Sequence, residues 1–188
     1  GLEDKETGPE SGASAEARTW MGVEAGTWLS ETLAALRDPA RRAASGGWGA
    51  LDQVLRPYQK TGAEWLRFLG ELGLGACLAD DMGLGKTVQM LAVLTARAKA
   101  QLGGAAKPSL LVAPASLLTN WRAEIQRFAP SLRHRILHPS ELGAEDWKQA
   151  QTDPAAAVRG CDLAMTTYGM VARWEGLRRL EWDFVILD

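Results

Sequence analysis

The 188-residue sequence has few cysteines and no apolar run long enough to cross a membrane. Cys77 and Cys161 are its only cysteines, and each lies in an apolar run typical of a strand. Small domains that depend on disulfides carry many more, so we expect two buried, reduced thiols. A membrane helix needs about 20 apolar residues, and no secretory leader opens the sequence. These absences predict an intracellular globular protein with no membrane partner.

The sequence also lacks a strong excess of charge of either sign. Its net charge is −2, although the first 16 residues hold five carboxylates against a single lysine. The remainder is mildly basic, which permits a local DNA-facing surface without showing one. His134 and His138 have no further ligand at metal-binding spacing, and we assign them no chemistry.

Composition divides the chain into three segments. Residues 1–18 are rich in Gly, Ser, Glu and Ala and predict a disordered lead-in. Residues 19–48 predict the helical tail of an upstream domain or a linker, with a helix beginning at Thr27. A globular domain follows from residue 49, after the glycine-rich break at 45–49. We expect the chain to be a piece of a longer protein, since it lacks an initiator methionine and stops inside a predicted strand.

Strands alternate with helices throughout the globular segment. This alternation predicts an α/β fold, in which a parallel sheet is covered by helices on both faces. The predicted strands are 76–80, 109–113, 133–137, 161–167 and 184–188, and the predicted helices begin at Pro57, Thr87, Ser116, Glu145 and Tyr168.

The stretch "DDMGLGKT" at 80–87 joins the first predicted strand to a helix. Gly83 and Gly85 allow the backbone N–H groups to approach an anion, and the helix N-terminus adds partial positive charge. Lys86 supplies a cation for the β and γ phosphates, and Thr87 a hydroxyl for magnesium. The general phosphate-loop pattern has a glycine where this sequence has Asp80.

Five segments, taken together, resemble one protein family. "LADDMGLGKTVQ" resembles motif I of the Swi/Snf-type ATPases of helicase superfamily two, which place an acidic residue where Asp80 stands. Asp81 replaces the glutamate of many members, a variation we associate with bacterial ones. Four other segments follow in the family's order: 55–66 is similar to its adenine-reading segment, 110–128 to motif Ia, 165–171 to motif Ib and 182–188 to Walker B. The resemblance implies that residues 49–188 are an N-terminal RecA-like lobe, incomplete after Walker B.

The resemblance also implies roles for particular residues. Lys86 and Asp188 would serve catalysis, Thr87 and Asp188 would hold Mg²⁺, and Gln59 would read adenine, for which an amide offers one donor and one acceptor. The implied DNA-backbone contacts are Ser116, Thr166 and Thr167. The implied ATP cradle is Asp81, Met82, Gly83, Leu84, Gly85, Lys86 and Thr87.

The implied activity is ATP-driven movement along double-stranded DNA, displacing protein complexes bound to it, with a second RecA-like lobe C-terminal to these residues. We expect a bacterial, cytoplasmic, nucleoid-associated protein, and little hydrolysis by these 188 residues alone.

Three alternatives stay open: a helicase that separates DNA or RNA strands, a small-molecule kinase and a degenerate interaction scaffold. At residue level, Gln59 could be a solvated helix residue and Ser116 a helix N-cap. Thr166 and Thr167 could simply end a strand, and Trp121 could pack in the core.

Overall fold

The computed structural model describes residues 47–101 and 107–188, which form an α/β fold around a four-stranded parallel sheet. The predictions for residues 1–46 lie outside the described residues. The strands are β1 (Ser109–Val112), β2 (His134–Ile136), β3 (Leu163–Thr166) and β4 (Val185–Leu187). The helices are α1 (Pro57–Glu71), α2 (Lys86–Ala100), α3 (Ala115–Phe128), α4 (Ala144–Thr152), α5 (Pro154–Ala157), α6 (Tyr168–Arg173) and α7 (Glu175–Arg179), after a 3₁₀ helix at Gly49–Gln53.

The strands lie in the order β2-β3-β1-β4, all parallel. All four residues of β1 and of β3 are buried, which explains their continuous apolar sequences. In the register, Leu111 of β1 lies opposite Met165 of β3 on one side and Ile186 of β4 on the other. The prediction of a parallel sheet with helices on both faces is therefore confirmed.

Each face of the sheet carries its own hydrophobic cluster. Helices α2 and α3 cover one face, where Leu91 and Ile125 pack with Leu111 and Met165. Helices α4 to α7 cover the other, where Met170 and other side chains pack on alternate strand residues such as Leu110 and Val112. This alternation follows from the two-residue period of a strand.

Helix α1 lies against α2 over a third cluster. Trp48 and Leu51 from the start of the described chain pack there with Ala63 of α1 and Val93 of α2. Pro57 occupies the first helical position of α1. A backbone N–H at this position has no acceptor within the helix, so its absence in proline removes no hydrogen bond. The packing places the first turn of α1 beside the segment that leads into α2.

The structure corrects the prediction of a strand at 76–80. These residues have no strand pairing, and Cys77 is exposed instead of buried. The predicted helix from Tyr168 is also interrupted, because Trp174 adopts extended backbone angles between α6 and α7. Val185 and Leu187 are exposed on β4, so helices do not cover that part of the sheet.

Both cysteines are free thiols, as the sequence predicts. Cys161 is half-buried, and desolvation raises its pKa from 9.0 to about 11, which keeps it protonated at neutral pH. Within the two described ranges, no helix combines the length and the apolar character needed to cross a membrane.

Candidate nucleotide-binding site

The carboxyl ends of β1, β3 and β4 meet at one edge of the sheet. The backbone N–H of Ala113 donates to Thr166 O at 3.0 Å, and that of Asp188 donates to Val112 O at 3.0 Å. Segments that follow parallel strands at this edge commonly form the ligand site of an α/β fold. Ser116, Thr167 and Asp188, three of the sequence-predicted residues, therefore follow strands that end together.

The glycine loop leads directly into α2. Gly83 and Gly85 have φ angles of +88° and +78°, a left-handed region that side chains with a Cβ rarely adopt. Residues 81–84 are exposed, and Gly85 is the N-cap of α2. The loop therefore presents backbone N–H groups at a helix N-terminus, an arrangement that favours an anion.

Lys86 and Thr87 form the first positions of α2 and are half-buried. Lys86 Nζ donates to the backbone carbonyls of Asp80 at 2.7 Å and Asp81 at 3.1 Å. The ammonium group thus lies across the loop, where phosphate oxygens could replace carbonyl oxygens as its acceptors.

Gln59, the predicted adenine reader, is buried, which excludes the reading of it as a solvated helix residue. Its Oε1 accepts from the N–H of Arg56 at 2.9 Å, and its Nε2 donates to Leu84 O at 2.9 Å. Tyr58 Oη donates to the same Leu84 oxygen at 3.2 Å. Gln59 therefore touches the glycine loop, and its role toward adenine stays a prediction.

Asp188 receives contacts from two elements beyond its own strand. Trp121 of α3 donates its indole N–H to Asp188 Oδ2 at 2.6 Å, and Tyr168 of α6 donates its hydroxyl to Asp188 O at 2.9 Å. The expectation that Trp121 packs in the core is confirmed, since it is 4% exposed. The sequence did not predict its hydrogen bond to Asp188. The spacing of Trp121 along its helix indicates that the side chain is buried, but not which side chain it contacts.

Gln89 is a second residue that sequence reasoning missed. It is fully buried on α2, and its Nε2 donates to Asp80 Oδ2 at 3.0 Å. The signal was present: Gln89 is a polar residue among Val88, Leu91 and Ala92, on the face of α2 that packs inward.

The three predicted DNA-backbone residues differ in accessibility. Ser116 is exposed in the first turn of α3, and Pro114 is the N-cap, so Ser116 does not cap the helix. Thr167 is half-buried and caps α6, where its Oγ1 accepts from Met170 N. Thr166 is fully buried, and its hydroxyl donates to Leu137 O at 2.8 Å. Burial corrects the prediction for Thr166, since its hydroxyl cannot reach an external phosphate.

The residues present fit a nucleotide with a divalent cation. The space around Gly83 is open, a Cβ at Gly85 would lie 2.4 Å from Gln59 Nε2, and a cation and a hydroxyl follow on α2. Together with the parallel sheet, the loop defines a nucleotide-binding α/β domain, the fold class predicted from the sequence.

The chain belongs to the SNF2-related family: the model of the SNF2-related domain matches residues 58–188. It is 43% identical over 136 residues to YwqA of Bacillus subtilis, a protein of the helicase/translocase type, and 36% identical over 140 residues to the chromatin-remodeling ATPase INO80 of Arabidopsis thaliana. Each match covers 72% of this chain. The predicted family is confirmed, and the chain is an SNF2-family, helicase-like ATPase domain.

A solved structure extends the similarity to the backbone. The Sulfolobus solfataricus SWI2/SNF2 ATPase core in complex with double-stranded DNA matches 71% of this chain with a TM-score of 0.57 and 40% identity. This chain spans 25% of that core, 14% of YwqA and 9% of INO80. It therefore corresponds to a minor part of each relative.

Proposed function

We propose that the chain is the ATP-binding lobe of an ATPase that moves along double-stranded DNA and displaces proteins bound to it. The observation that carries the proposal is the glycine loop, which presents its N–H groups and Lys86 at the start of α2. A RecA-like lobe with this loop is built to hold a triphosphate.

Each site residue has a task in this proposal. Lys86 would leave its carbonyl partners to neutralise the β and γ phosphates, while Thr87 and Asp188 would hold Mg²⁺. Gln59 would read the adenine ring. ATP supplies the phosphoanhydride bond whose hydrolysis drives the motor. The protein's part is to bind, orient and neutralise, because phosphoryl transfer depends mainly on position and charge.

The DNA part of the proposal rests on Ser116 and Thr167. Both lie just after strands that end at the same sheet edge as Asp188, and a hydroxyl there suits contact with a phosphate backbone. The solved Sulfolobus relative was determined with double-stranded DNA, which supports this partner. We further propose action on the nucleoid in a bacterial cytoplasm, with a second RecA-like lobe needed for efficient hydrolysis.

Nucleotide binding can be measured on this chain by titration calorimetry with MgATP. Lys86→Ala should weaken binding at least tenfold, because charge-assisted hydrogen bonds to phosphate are lost. Lys148→Ala, on the exposed side of α4, is the matched control and should bind like the wild type. Equal affinity in the wild type and Lys86→Ala would refute the ATP role.

The motor activity is tested on a full-length protein containing this lobe. ATP turnover should rise with double-stranded DNA, and a triplex-displacement assay should detect movement without release of single strands. Release of a strand from a partial duplex would favour the strand-separating helicase. Intact binding with no turnover under any condition would favour the interaction scaffold.

A further inference from the structure

The aspartate that replaces glycine at the start of the phosphate loop has a buried partner. We propose that Asp80 and Gln89 form a hydrogen-bonded pair that positions this loop for nucleotide, with Gln89 as a positioning residue. This inference rests on the proposed ATP site, because the pair would position a loop of that site.

Gln89 lies one turn after Lys86 on α2 and is 0% exposed. Its Nε2 donates to Asp80 Oδ2 at 3.0 Å and lies 3.4 Å from Gly85 O. A buried amide lowers stability unless it is bonded, so a helix that needed only packing here would be better served by leucine. The bond to the loop is what an amide adds at this position.

Asp80 is held by α2 at two points. Its carboxylate accepts from Gln89, and its backbone carbonyl accepts from Lys86 Nζ at 2.7 Å. The start of the loop is thereby tied to the first turn of the helix that follows it. A glycine at position 80 could make only the second of these bonds, so the aspartate supplies a fixed point that the general pattern lacks.

The other end of the loop is held by α1. Leu84 O accepts from Gln59 Nε2 and Tyr58 Oη, while residues 81–83 between the two fixed points stay exposed. With both ends fixed, less backbone freedom remains to be lost when the N–H groups close around a phosphate. The Asp80–Gln89 pair therefore contributes to affinity by pre-organising the loop.

Helix α1 also sets the position of Gln89 itself. A Cβ at Gly62 would lie 2.0 Å from Gln89 Oε1, so a larger residue there would displace the Gln89 amide from this position. Gln89 Oε1 is buried without a hydrogen-bond partner in the described structure. An unpaired buried acceptor destabilises a fold, so the bond from Gln89 Nε2 to Asp80 is the interaction that favours an amide at this position.

A double-mutant cycle on the 188-residue chain tests the pair. MgATP affinity is measured for the wild type, Gln89→Leu, Asp80→Ala and the double variant. Each single variant should bind roughly tenfold more weakly, and the double no more weakly than either, because both remove the same bond. Asp80→Asn keeps an acceptor for Gln89 Nε2 and should bind within about twofold of the wild type.

Amide hydrogen exchange gives a second readout, independent of nucleotide. Exchange at Leu84, whose backbone N–H donates to Asp81 O at 3.3 Å within the loop, should speed up roughly tenfold in Gln89→Leu, because the loop loses a fixed point. Thr95→Val is the matched control: it removes another buried side-chain bond of α2, from Thr95 Oγ1 to Leu91 O at 2.7 Å, two turns from the loop. It should leave loop exchange and MgATP affinity unchanged.

The outcomes separate this inference from the proposed function. Additive losses in the cycle, or a lower melting temperature with unchanged affinity and loop exchange, would overturn the positioning role. If the wild-type chain binds no MgATP, the proposed function is wrong. The rate of amide exchange in the loop of Gln89→Leu would then decide by itself whether the Asp80–Gln89 pair holds the loop. Gly62→Ala should reproduce the Gln89→Leu exchange result by displacing Gln89 from outside the loop.

Discussion

Trp121 joins the helix predicted to face DNA to the aspartate predicted to hold magnesium. Its indole N–H donates to Asp188 Oδ2 at 2.6 Å from the second turn of α3. Ser116, a predicted DNA contact, lies in the first turn of the same helix. A shift of α3 on DNA binding would therefore move the group that orients the Asp188 carboxylate.

Trp121→Phe should lower DNA-stimulated ATP turnover of the full-length protein roughly tenfold. The substitution removes a hydrogen bond to a charged group, and a loss of that size in the transition state changes a rate by about this factor. Phenylalanine keeps most of the buried ring, and Asp188 is exposed, so water can replace the lost donor. The thermal stability of the chain should therefore change little. Steady-state kinetics and thermal unfolding measure the two effects.

Trp182→Phe is the matched control for this substitution. It removes another indole hydrogen bond, from Trp182 Nε1 to Leu177 O at 2.9 Å, in the segment between α7 and β4, before the strand that Asp188 follows. Its turnover should match the wild type. An equal fall in both variants would contradict the positioning role of Trp121.

At the residue scale, local pattern was enough for some assignments and insufficient for others. The glycine turn at Gly83 and Gly85 and the helix beginning at Lys86 could be predicted because they depend on neighbours in sequence, and their role toward nucleotide stays a prediction. The bonds from Gln89 to Asp80 and from Trp121 to Asp188 could not, because they depend on side-chain rotamers and on packing between elements. The burial of Thr166 was missed for the same reason, since a β-branched residue at a strand end can face either way.

Asp162 fixes the start of β3 to the start of β2. Its carboxylate accepts from Arg133 N at 2.8 Å and Arg133 Nε at 3.0 Å, and its own N–H donates to Arg133 O at 2.7 Å. Burial raises the pKa of Asp162, but the hydrogen bonds from Arg133 outweigh it and hold that pKa below the ordinary value of 3.8. The contact sets the register of the two strands.

Asp162→Asn should lower the free energy of unfolding by about 1–2 kcal/mol at neutral pH, because the charged acceptor is lost. The folded-state pKa is depressed, so the stabilisation is fully present above the unfolded value near 3.8 and disappears as pH falls through the folded value. Urea unfolding of both proteins from pH 7 to pH 3 measures the difference. A gap that persists unchanged at pH 3 would contradict the charge-based account.

At the element scale, β1, β3 and the long helices match the sequence to within one or two residues at most ends. Their apolar patterns reflect burial on fixed faces, which a sequence can encode. Residues 76–80 have the same apolar pattern but no strand pairing. A strand needs a partner at its edge, and the local sequence carries no information about whether that partner is there.

The sheet is unequally covered, and two leucines on it make this measurable. Leu111 of β1 is 0% exposed, whereas Leu187 of β4 is 68% exposed. Leu111→Ala should lower the free energy of unfolding by about 2–5 kcal/mol, through lost burial and a residual cavity. Leu187→Ala should change it by less than about 0.5 kcal/mol. Chemical unfolding of both variants checks the contrast, and similar losses would contradict the observed packing.

For the molecule as a whole, alternation and motif order were sufficient to predict the fold class and the family. The five matched segments are spread over residues 55–188, and the family match covers residues 58–188. Composition alone favoured no function, since the net charge is near zero. From the sequence, the DNA partner could be predicted only through the family resemblance, because no charged stripe in the sequence indicates it.

The attachment of β4 determines when, during synthesis, the site can be complete. β4 pairs with β1, and Asp188 bonds to Trp121, 67 positions earlier in the sequence, and to Tyr168, 20 positions earlier. The glycine loop, α2 and β1 leave the ribosome long before this strand, and β3 can already pair with β1 and β2 without it. Because contacts between distant positions form slowly, the glycine loop should reach its place on the nascent chain before Asp188, the proposed magnesium ligand, joins it.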